Sequence, residues 1–167
     1  MGEHLTFPRV FKLMLSKIDD LPFVNKRNAF FLLLAMHVAG IVGLSIDSTR
    51  ELFQNLTPFN LLLTAAIVLH FEKEKNSHFI IFILATLLFG FFVEVAGVHT
   101  GIIFGHYSYG ATLGPKLWDV PLAIGVNWVI MIYATGVFAR EVTKVKLHTI
   151  IVAALLMTVI DIIIEPV

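Results

Sequence analysis

Long apolar runs alternate with short polar breaks along this chain. Five runs stand out: Ala29–Ile46, Leu56–Phe71, Phe79–Val98, Val120–Ala139 and Leu147–Ile164. A helix needs roughly 20 apolar residues to cross about 30 Å of hydrocarbon. Four runs meet that length, while Leu56–Phe71 is shorter and carries Asn60. Pro121 would fall in the first turn of the fourth helix, where proline is tolerated. The breaks "EKEKNSH" and "REVTKVK" are short and charged, which suits antiparallel neighbours. The pattern predicts an all-α fold: a polytopic membrane helix bundle of about five transmembrane helices. A basic N-terminal segment, residues 1–28, precedes a single transmembrane helical domain, residues 29–167.

Composition agrees with this reading. Hydrophobic residues make up 57% and charged ones 14%, against about 25% charged in soluble domains. Mean hydropathy is +0.87, more than one globular core of this size can hide. The formal net charge of zero argues against nucleic acid as a partner. The lack of cysteine excludes disulfides, thiolate metal sites and cysteine nucleophiles. No cleavable signal peptide is evident, because the first 28 residues lack a compact apolar stretch ending at a small-residue cleavage site.

Lys and Arg number five in the N-terminal tail, then 1, 2, 1 and 3 in successive connections. That alternation predicts a cytoplasmic N-terminus. The third and fifth helices then run outward. They bring Glu94, Asp161 and Glu165 to one leaflet, beside an external loop, His99–Asp119.

Glu94 lies in "FGFFVEVAGV" with no Lys or Arg within a helical turn. A charge at the membrane centre costs roughly 2.5–3.5 kcal/mol on insertion scales, so intramembrane carboxyls are functional candidates by default. A carboxylic acid kept neutral can serve as a general acid. The plain alternative is an interfacial glutamate reaching water or bonded to a neighbouring helix. Asp161 and Glu165 stand at i and i+4 on one helix face, where like charges are relieved by a shared proton or a cation. Glu165 alone reads equally well as the aqueous end of the span.

The seven histidines (4, 37, 70, 78, 99, 106 and 148) form no clustered box of the kind that holds non-haem iron. This weighs against an oxygen-using hydroxylase and predicts no metal. His99 and His106 are placed to orient water or a proton, although lone histidines are more often structural. Gly97, Gly101 and Gly105 recur every fourth residue. They suggest a small-residue packing face on which the third helix continues past Val98. Tyr107, Tyr109, Trp118 and Trp128 read first as an interfacial aromatic belt; stacking on a flat, conjugated substrate is the functional alternative.

Two stretches carry a family resemblance: "EVAGVHTGIIFGHYSYGATLGPKLWDVPLAIGVNWVIMIYA", Glu94 to Ala134, and "DIIIEPV", Asp161 to Val167. An intramembrane Glu precedes a Gly, followed by G-x-x-FG-x-Y-x-Y, LG, VP and a Trp, and later D-x-x-x-[DE]-P. The chain thereby resembles the carotenoid biosynthesis protein family, which includes carotenoid 1,2-hydratases and the bisanhydrobacterioruberin hydratase. Two departures are visible. Position 103 is Ile where many relatives have Pro. Members also continue beyond the acidic-Pro motif, so the resemblance implies either a truncated sequence or a short member.

The resemblance implies cofactor-independent hydration of the terminal C1–C2 double bond of an acyclic carotenoid. Acid protonates C2, and water captures the tertiary cation at C1. Glu94 or Asp161 would be the acid, with the other and Glu165 stabilising charge and positioning water. Tyr107, Tyr109 and His106 would line the polar mouth, and His99, Trp118 and Trp128 would complete the substrate contacts. The expected partners are a carotenoid or isoprenoid substrate, the bilayer of the cell membrane, and other carotenoid enzymes or a second copy. Two other classes fit the same sequence: a small proton or lipid transporter, and a non-catalytic subunit that organises pigment enzymes.

Overall fold

The computed structural model describes residues 25–164, so the expectations for residues 1–24 and for Glu165 lie outside it. Five helices are present among the described residues: α1 (Lys26–Ser45), α2 (Asp47–His70), α3 (Ser77–Thr100), α4 (Ala123–Val142) and α5 (Lys146–Ile164). All five are long and apolar enough to cross a membrane. Large apolar side chains such as Phe59, Ile81, Phe89, Ile150 and Leu155 stay exposed on them. Helices that are hydrophobic all round are built for lipid rather than water.

Two compact units divide at Ile81 and Phe82. The first is dominated by the α1–α2 hairpin. Asn25 caps α1, its Oδ1 accepting the Asn28 N–H at 2.9 Å and satisfying one of the donors a helix start leaves unpaired. Ile46 alone, in extended backbone, separates the two helices. The joint is held by side chains from α2. Thr49 Oγ1 donates to the Gly43 carbonyl at 2.8 Å, and Arg50 Nε donates to the Leu44 carbonyl at 3.0 Å. Phe53 fills the space that a side chain at Gly43 would need.

The second unit holds the rest of α3, a small hairpin, α4 and α5. Strand β1 (Lys116–Leu117) pairs antiparallel with β2 (Val120–Pro121), with Lys116 opposite Pro121 and Leu117 opposite Val120. Val120 and Pro121 are fully buried. Val120 packs with Phe91 and Ile124 at the centre of this unit, surrounded by Val95, Val98, Tyr109, Leu113 and Trp128. α4 approaches α3 closely at Gly125, where a methyl group would press on the Leu87 carbonyl.

Three expectations are corrected. The second apolar segment is not short: α2 begins at Asp47 and keeps Pro58 inside the helix. Its first turns are polar, so a reading of apolar length misses them. The fourth segment does not start as a helix at Val120, because Val120 and Pro121 form β2 and α4 begins at Ala123. An apolar run reports burial and not helix as such, and here the burial is that of a strand. Finally, α3 does not continue along the glycine series. It ends at Thr100, and Gly101 takes a φ of +65°, a left-handed conformation open to glycine at a helix C-terminus.

Candidate functional site

Glu94 lies on α3, six residues before its last residue, or about 9 Å along the axis at 1.5 Å per residue. Its carboxyl is the meeting point of three aromatic donors. The Tyr107 hydroxyl donates to Oε2 at 2.6 Å, and the Tyr109 hydroxyl donates to the same oxygen at 2.7 Å. From α4, the Trp128 indole N–H donates to Oε1 at 3.0 Å. Four half-buried side chains thus share one hydrogen-bonded cluster inside the second unit.

Glycines set up this geometry. Gly90, Glu94 and Gly97 follow one another at spacings of four and three, so they lie on one face of α3. A methyl group at Gly90 would fall inside the Trp128 side chain, and one at Gly97 would meet the Phe104 ring and the Tyr107 hydroxyl. Each glycine therefore leaves room for a ring that neighbours Glu94. Gly101 and Gly105, at φ +65° and +81°, turn the chain back so that Tyr107 and Tyr109 meet the helix they follow. At i and i+2 of an irregular segment, both rings reach the same carboxyl. Lys116 Nζ donates to the Tyr109 carbonyl and pins that segment to the hairpin.

Burial raises both loop phenols above the usual phenolic range, and donation to Glu94 and its charge add to the effect. The Asp161 charge also raises Tyr107, which places that α5 carboxyl within electrostatic reach of the cluster. Both hydroxyls therefore remain neutral donors at physiological pH.

The other candidates sit around this centre. Trp118 and Asp119 form the two-residue turn of the hairpin, with φ of 50° and 63°. Both residues are left-handed, as in the turns that normally take Asn-Gly, and a bulky residue there costs of order 1–3 kcal/mol. The Trp118 indole leans on Phe91 and Phe92, with ring centroids at 6.5 and 6.1 Å. His99 Nε2 lies 3.9 Å from Asp119 Oδ2, linking the end of α3 to the turn. His106 is exposed and its ring covers Gly101. None of His99, His106 and Trp118 bonds to the Glu94 carboxyl in the contacts seen here.

Sequence reasoning missed Gly90, and it named Phe104 only as part of the family pattern without a role beside Tyr107. The spacing of Gly90, Glu94 and Gly97 was the available signal, but it was hidden by the more regular series Gly97, Gly101, Gly105. The family model described as carotenoid biosynthesis protein matches residues 56–167. No match was found among curated proteins or among solved structures.

Proposed function

Because the chain belongs to the carotenoid biosynthesis protein family, with a role in that biosynthesis, we propose that it hydrates the terminal C1–C2 double bond of an acyclic carotenoid. The observation that carries this reading is the Glu94 carboxyl, set in an apolar helix and met by three neutral donors. Hydrogen bonds aimed at both oxygens suit a carboxylate that faces developing positive charge.

Asp161 in its protonated form is the proton donor, and the carboxylate left after transfer is the charge felt at Tyr107. Its proton goes to C2, the π electrons of C1=C2 form the new C2–H bond, and C1 becomes a tertiary cation. Glu94 stabilises that cation. Water adds its lone pair to C1, and the resulting oxonium gives its extra proton to Glu94. Tyr107 and Tyr109 can turn from donor to acceptor to accommodate the proton. Transfer through Tyr107 returns it to Asp161, so the net change is one water added and no electron gained or lost. In this reading His106, His99 and Trp118 line the mouth of the site, and Glu165 helps to stabilise charge and position water. In the orientation set by the basic residues, the site lies toward the outer leaflet of the cell membrane.

The test is pigment analysis by mass spectrometry in a host that makes lycopene. The wild-type chain is expected to add one water, and Glu94→Gln and Asp161→Asn are expected to abolish that gain. Unchanged pigment with well-folded wild-type protein would sink the reading.

A further inference from the structure

A donor that hydrogen-bonds a carboxylate through the edge of its ring leaves its π faces beside the charge. At Glu94 this happens three times, through two phenols and one indole. The Tyr107 and Tyr109 rings stand at 84° with centroids 5.5 Å apart, forming a right-angled corner. Phe104 meets Tyr107 at 6.3 Å and 68°. On the α4 side, Phe89 meets the Trp128 indole near-perpendicularly at 6.5 Å. Gly90 and Gly97 remove the side chains that would otherwise push these rings away.

The charge balance is as telling as the shape. Among the described residues, the Glu94 carboxyl is met by hydroxyl and indole donors, while ion pairs such as Arg50 with Asp47 and His99 with Asp119 lie elsewhere. Lys116, a cation in the neighbouring hairpin, is engaged by the Tyr109 carbonyl. Asp161 adds negative potential at Tyr107. In these contacts the cluster therefore has acceptors, dipoles and π faces, but no counter-charge. Three donors already occupy the two Glu94 oxygens, which suits a small hard ion poorly. A large, weakly hydrated cation over the ring faces is the complement, as in aromatic sites for quaternary ammonium groups.

We infer that Glu94, Tyr107, Tyr109 and Trp128 form a receptor for a trialkyl-substituted cation at the end of an isoprenoid chain, with the Trp128 π face as a binding wall. The inference rests on the hydration reading in one respect: the tertiary cation at C1 is then the natural occupant. A stable nitrogen analogue should bind without any turnover. Trp128 thus acts twice, holding Glu94 by its N–H and the cation by its ring face.

The probe is an isoprenyl trimethylammonium salt, compared with the neutral all-carbon analogue ending in a tert-butyl group. Binding to the full chain in lipid nanodiscs is measured by titration calorimetry. The ammonium is expected to bind about tenfold more tightly than its neutral isostere. Glu94→Gln should remove that preference. Because that variant can also disturb packing, a second series replaces tryptophan by fluorinated tryptophans in a Trp118→Phe background, where Trp128 is the sole indole. Fluorination keeps the shape and the N–H but drains the π face, so the preference should fall stepwise with each fluorine. Equal affinity for the two probes, or a preference untouched by fluorination, overturns the inference. A chain that shows the preference but leaves pigment unchanged supports the cation receptor and removes the hydration reading.

Discussion

Tyr107 and Tyr109 owe their strength as donors to the Glu94 carboxyl, and this gives them a measurable signature. Both hydroxyls are pushed above the ordinary phenolic range, by burial first and by Glu94 second. The sign follows from linkage. A folded value above the unfolded one contributes stability below the unfolded pKa of about 10. That contribution is lost only as pH rises through the higher folded value. Phenolate absorbance is therefore expected to lack these two residues at about pH 10 in the folded chain and to gain them on unfolding. Tyr107→Phe and Tyr109→Phe should each remove one late-appearing phenol. Complete titration near pH 10 in the folded protein would contradict the geometry. Glu94 itself was legible in the sequence, since a carboxyl in an apolar run has few cheap explanations. Its partners were not legible from spacing, because the return of the loop depends on left-handed backbone at Gly101 and Gly105. Composition marked Tyr107, Tyr109 and Trp128 only as an interfacial belt or a stacking surface, and the resemblance gave them a place at the site.

The helix face carrying Gly90, Glu94 and Gly97 makes a sharper claim about α3. In a helix interior, Gly→Ala ordinarily stabilises by about 0.5–1 kcal/mol. Gly136 on α4 has open space where its Cβ would stand, so Gly136→Ala should follow that rule. Gly90→Ala should do the opposite, because the added methyl would displace Trp128 and strip one donor from Glu94. Overpacking of this kind costs roughly 1–3 kcal/mol. Thermal melting of the two variants in one detergent checks the opposite signs, and Trp fluorescence should change only for Gly90→Ala. If both variants behave alike, the close seat of the indole on α3 is wrong. At this level helix existence was readily legible in the apolar pattern, and helix limits were poorly so. Hydropathy cannot separate the buried strand Val120–Pro121 from the helix that follows it, nor see the polar first turns of α2.

The five-helix membrane architecture was the most legible part of the chain, since 57% apolar residues in long runs leave few other solutions. Orientation rests on the Lys and Arg count alone. A reporter inserted after Gly110 is expected to read as external, and one at Asn76 as cytoplasmic. The opposite pair of readings would turn the proposed site toward the inner leaflet and leave its chemistry intact.

The single-residue joint at Ile46 bears on how the first two helices enter the bilayer. With only one residue between Ser45 and Asp47, no polar loop separates α1 from α2 that could be threaded across on its own. The two helices are expected to insert as one event, with Asp47, Arg50 and Glu51 at the crest of the pair. Reversing the N-terminal charge should then flip the N-terminus and the Asn76 reporter together or leave both in place. Separate responses would show that α1 can commit to the membrane before α2 has been made.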